Sequence, residues 1–135
     1  MIKIILSGLA AGLLLLVLSV VGLYGTVWLF PKLAVQYFDP VFDAQEGRYM
    51  VYFVHPFIIG LALSWFWDRF KGILKGSFLG RGIEFGIMYV VVAVFPMMWL
   101  IYSAINVSLG LVISWLLLGM FQGVAAGLLF GKINA

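Results

Sequence analysis

The sequence predicts an all-α membrane protein: four transmembrane helices in an antiparallel bundle, both termini cytoplasmic, and a short interfacial helix in the outer loop. Three observations carry that expectation. Of 135 residues, 65% are hydrophobic and only 10% charged, where a soluble domain carries about a quarter charged residues. The apolar residues gather into four long runs, at 4–30, 50–67, 82–104 and 109–130. The basic residues fall mostly at one end of those runs. So little chain lies outside them that no separate soluble core can form, and residues 1–135 are expected to make a single transmembrane domain.

At about 1.5 Å rise per residue each run is long enough for a hydrocarbon layer about 30 Å thick. Backbone amides in hydrocarbon must be satisfied within their own segment. The runs also lack the alternation and the ~10-residue length of barrel strands, so each is predicted to be a helix. The first run follows Met1, Ile2 and Lys3. It is too long for a signal-peptide core and ends in no small-residue cleavage pattern, so it is expected to be retained. Its excess length calls for tilt, or for an end that leaves the bilayer before Pro31.

With the N-terminus inside, Lys3, Arg69, Lys71, Lys75, Arg81 and Lys132 are cytoplasmic and only Lys32 and Arg48 face out. That asymmetry is the one membrane insertion favours. The expected location is a bacterial inner (plasma) membrane. Trp28, Trp99 and Tyr102 fall near the outer boundary and Trp65 and Trp67 near the inner one, where amphipathic rings anchor at headgroup level.

The outer loop, 31–49, contains DPVFDAQEG. Asp39 suits a helix cap, Pro40 the first helical position and Gly47 a left-handed terminus, and Leu33, Val35, Tyr37, Phe38, Val41 and Phe42 would hold the segment in the interface. On one helix Asp39, Asp43 and Glu46 would share a stripe. A hard cation needs more oxygen ligands around one point, so no metal and no other cofactor is expected.

The inner loop, DRFKGILKGSFLGR, is basic and rich in glycine, and membrane lipids with anionic headgroups are its expected partners. The net charge of +3, with its basic residues scattered over loops, gives no footprint for nucleic acid. The turn near Asn106 is short enough to make the last two runs a hairpin. Asn106, Val107 and Ser108 form a formal glycosylation sequon that lies too close to the bilayer to count.

The most specific pattern is a glycine every fourth residue, Gly119, Gly123, Gly127 and Gly131, with shorter versions at Gly8 and Gly12 and at Gly82 and Gly86. Positions i and i+4 share a helix face, so each set makes a bare groove that another backbone can approach. Such glycine-zipper faces serve either packing within the monomer or docking in a homo-oligomer or larger membrane complex. The segments GLAAGLL at 8–14 and GVAAGLL at 123–129 echo one another, as small-residue composition readily produces.

Polar residues at depth are few. Gln122 should hydrogen-bond across a helix interface. Glu84 sits one turn inside the third run, where Arg81 three residues earlier offers an ion pair. His55, the one histidine, precedes Pro56. The proline frees the carbonyl of Tyr52, so a kink and a polar pocket are expected, with Tyr24, Tyr52, Tyr102, Ser103, Ser114 and Trp115 at similar depth. Pro96 should bend the third run.

His55, Glu84, Gln122, Tyr52 and Tyr102 are therefore the candidate polar or ligand-binding residues. No cysteine is present, and the sequence offers no Ser/His/Asp set, no phosphate-cradling loop and no mid-membrane acidic pair. It is expected to be a non-enzymatic accessory, structural or assembly subunit acting through glycine-faced helix packing. The alternatives are a small-solute or ion permease and a lipid- or quinone-binding membrane protein.

Overall fold

A computed structural model describes residues 1–43 and 47–135. Among the described residues all regular structure is helical. Four helices, Ile2–Leu29, Tyr49–Phe70, Phe78–Ala104 and Leu109–Ile133, are long and apolar enough to cross a membrane, and are the four spans. By length and composition this is a membrane-embedded helical protein.

The helices outrun the apolar stretches that mark them. The second continues through Trp67, Asp68 and Arg69 to Phe70, and the third starts at Phe78 instead of 82. Hydropathy measures the part of a helix that lipid covers, whereas hydrogen bonding carries the coil on until a cap ends it. At Phe78 that cap is Ser77, whose Oγ accepts from Gly80 N–H at 3.1 Å.

Pro56 lies buried within the second span. Pro96 leaves a larger mark. The stretch Val90–Val94 is a π turn, with Phe95 N–H donating to Val90 O five residues back, and Phe95–Ala104 resumes as α-helix. Proline has no N–H for the carbonyl four residues earlier and its ring crowds that carbonyl; a wider turn just before it relieves both.

The outer loop makes an α turn at Pro31–Ala34 and 3-10 turns at Val35–Phe38 and Pro40–Phe42. Asp39 caps as expected, its Oδ1 accepting from Val41 N–H at 3.0 Å. The helix it opens stops at once, because Asp43 is already extended. Asp39 and Asp43 therefore do not share a helical stripe, and Glu46 lies outside the described residues. Tyr37 and Phe42 pack on Trp115, the Trp115 indole donates to the Tyr37 hydroxyl, and Ser108 bonds Gln36. Burial pushes the Tyr37 phenol above its ordinary value, against the smaller opposing effect of the Trp115 bond.

Glycine seams build the bundle. Gly8 and Gly12 of the first span face Gly60, Leu61 and Phe57 of the second so closely that a Cβ on Gly60 would sit 2.5 Å from Gly12 N and Gly8 O. Gly127 and Gly123 of the fourth span face Gly82 and Gly86 of the third, and a Cβ on Gly127 would lie 2.7 Å from Gly82 O. Gly119 meets Val94, and Gly131 meets Phe78. Lipid solvates apolar side chains as well as protein does, so this backbone contact supplies the van der Waals energy that holds each pair.

Both termini lie at the end where the second span finishes and the third begins, called here the basal end. Trp67, Phe85 and Phe130, all 0% exposed, stack there with ring centroids 5.2 to 6.0 Å apart. The Trp67 indole donates to Asn134 O at 2.8 Å. Trp67 is thus a core residue and not a belt anchor: its position in the sequence gives its depth, and the helix rotation turns it inward.

Candidate functional site: a polar cavity where four helices meet

Each span contributes to one small cavity of about 60 Å³, lined by Leu15 and Ser19, by His55, Pro56 and Ile59, by Tyr89 and by Gln122. Gln122 organises it. Its Nε2 donates to Ser19 Oγ at 2.9 Å and to Leu15 O at 3.3 Å, the cross-helix bonding expected of an amide at that depth. The partner, Ser19, was not singled out by the sequence; serine in a leucine run often satisfies itself on its own helix, as Thr26 does on Gly22 O at 2.8 Å.

His55 lies at this cavity, but its company differs from the expected set. Tyr24 and Tyr52 are 64% and 55% exposed. Tyr102 and Ser103 belong elsewhere, and Trp115 is bonded to Tyr37. Depth along a span could be counted from sequence, whereas rotation about its axis could not; the tyrosine that lines the cavity with His55 is Tyr89, one turn from the Gly86 seam. A tyrosine three residues after a glycine of a packed face was the signal available for it.

Glu84 stands apart from the cavity, exposed near the basal end. Its expected partner is engaged otherwise: Arg81 Nη2 donates to Lys71 O at 3.2 Å, and the guanidinium lies over Trp67 at 5.3 Å. The aromatic ring holds the cation in a desolvated cation–π contact in preference to a surface ion pair. Among the described residues the one ion pair joins Lys71 to Asp68 at 3.0 Å, and Asn134 bonds both, accepting from Lys71 Nζ at 2.9 Å and donating to Asp68 at 3.2 Å.

A second, apolar cleft of about 460 Å³ opens between the loop-end half of the third span and the fourth. Phe95, Met98, Trp99 and Tyr102 line one wall and Leu109, Val112, Ile113 and Leu116 the other.

The expected glycine positions are all at seams inside the chain. Comparison with protein-family models, with curated proteins and with solved structures finds no match to this chain.

Proposed function

We propose that the protein is a non-enzymatic accessory or assembly subunit of a bacterial inner membrane, a four-span antiparallel bundle with both termini cytoplasmic. It docks on a partner helix through the loop-end half of its third span. The basic residues near the basal end, against Lys32 and Arg48 at the other, support the orientation. Glycine-faced packing enters the function indirectly, by building a bundle firm enough to present that surface.

One observation carries the docking: no residue of Phe95–Ala104 is buried, and the cleft of about 460 Å³ opens between it and the fourth span. Exposure alone means little in lipid. A cleft between two helices means more, because across it the two spans forgo the dispersion contacts with each other on which membrane helices depend. Side chains of a partner helix, from another protein or a second copy, would restore them. A photo-crosslinking residue at Met98, which lines the cleft, is expected to capture a discrete protein in cells. The same residue at Leu13, 58% exposed on the first span, is expected to capture lipid only; lipid adducts alone at both positions would sink the docking.

A lipophile in the same cleft is the second reading, favoured by the hydroxyls of Tyr102 and Ser103 beside an otherwise apolar wall. A single lipid species on the Met98 probe, absent from the Leu13 probe, would identify it. A permease has less support, since Trp67, Phe85 and Phe130 close the basal half and Glu84 stands away from the cavity.

A further inference from the structure

We infer that the cavity bounded by Ser19, His55, Tyr89 and Gln122 is a water-filled vestibule. It is open toward the loop side of the membrane, closed toward the basal side, and admits water and neutral hydrogen-bonding molecules of similar size.

The lining groups set the chemistry. Gln122 spends its amide nitrogen on Ser19 and Leu15, which leaves its carbonyl oxygen as an acceptor. Ser19 accepts that bond and keeps its hydroxyl hydrogen; the Tyr89 phenol and the His55 ring add further donors and acceptors at the same cavity. In hydrocarbon such groups cost several kcal/mol each when left unmet. A dry cavity would leave them so, and cavities that stay dry are apolar ones.

Size and charge narrow the occupant. One water needs roughly 10–15 Å³ of such space, so about 60 Å³ holds a small cluster. A cavity that takes a single benzene ring measures roughly 150 Å³, which excludes a quinone headgroup or a sugar here. Among the described residues no Asp, Glu, Lys or Arg lines the cavity. An ion would shed hydration with no countercharge in return, whereas a neutral molecule exchanges water bonds for those of the lining.

Access is one-sided. Among the lining residues His55 alone is exposed, and it sits about 9 Å along the second span from its loop end, so the opening lies in the loop half of the bundle. Toward the basal end Leu63, Phe85, Ala126 and Trp67, each no more than 6% exposed, leave no room for a wet path. The site is a dead end, not a channel.

Two measurements on the full chain in lipid test this. In hydroxyl-radical footprinting by X-ray radiolysis, which marks side chains beside bound water, Tyr89 is expected to be oxidised at least tenfold faster than Phe85. Equal rates would overturn hydration. For sidedness, the absence of cysteine makes Ser19→Cys a single-thiol protein, and Gln122→Cys provides a second position should the first fold poorly. Sealed vesicles are treated with methyl methanethiosulfonate while impermeant glutathione is held on one face at a time. Asp43→Cys marks the loop face and Lys75→Cys the basal face. Glutathione on the Asp43 face is expected to protect Ser19→Cys and glutathione on the Lys75 face to leave it reactive; the reverse pattern, or reactivity no greater than that of Ala126→Cys, would overturn the proposal. A polymer-bound maleimide should label Asp43→Cys and spare Ser19→Cys; labelling of both would overturn the size limit.

Discussion

The glycines divide sharply by what surrounds them. A methyl group on Gly60 would strike two backbone atoms at 2.5 Å, and backbone cannot rotate away. Gly60→Ala is therefore expected to part the first two spans and to lower stability by about 1–3 kcal/mol, the usual cost of overpacking. Gly25 has nothing within 4 Å, so Gly25→Ala should be neutral or slightly stabilising through loss of unfolded-state freedom. Unfolding in graded detergent mixtures measures both, and equal effects would contradict the seam. The four-residue glycine spacing was visible in the sequence; Gly60, which carries the tightest contact with another helix's backbone, belongs to no such repeat and was not. At the Gln122–Ser19 bond, Gln122→Leu and Ser19→Ala are expected to couple by roughly 0.6 kcal/mol and at most about 2 in a double-mutant cycle. Strict additivity would show that the bond makes no net contribution.

Among the elements, two serine caps of the same kind are expected to differ in consequence. Ser77 caps the third span alone, whereas the Ser108 hydroxyl accepts from Leu111 N–H at 3.2 Å and also bonds Gln36 of the outer loop. Either change to alanine should cost about 1 kcal/mol as a lost cap. Only Ser108→Ala should in addition speed proteolysis within residues 31–43, because it releases the loop from the fourth span; equal protease rates in the two variants would refute the tie. Element existence was legible throughout, since each span announces itself by hydropathy. Element ends and interruptions were less so. Asp68 and Arg69 look like loop residues yet continue the second helix, and nothing in VVVAV signals a π turn apart from Pro96 two residues beyond it.

The molecule as a whole is two glycine-sealed pairs of helices joined by fewer contacts. The ties across include Gln122 to Ser19 midway, Tyr37 to Trp115 and Ser108 to Gln36 at the loop end, and at the base the packing of Trp67 on Phe85 and Phe130 with the bonds of Asn134 to Trp67, Lys71 and Asp68. Trp67→Ala should cost about 3–5 kcal/mol and act on the junction more than on either pair. Fragments 1–75 and 76–135, divided at Gly76 where φ is +103°, are expected to co-purify when made together and to fail when the first carries Trp67→Ala. Co-purification in spite of that change would place the junction elsewhere. Sequence showed the depth of Trp67 but not its direction, because four apolar helices have no polar face from which an inward side could be inferred. The Trp67–Asn134 bond spans 67 residues, and at roughly 5–20 residues per second the ribosome needs some seconds to supply the second half. Throughout that interval the indole must take its bond from lipid headgroups or water. Closure thus records that these four spans have been inserted, and a polypeptide stalled or misthreaded before Asn134 would leave that tryptophan unlatched for a membrane protease to find.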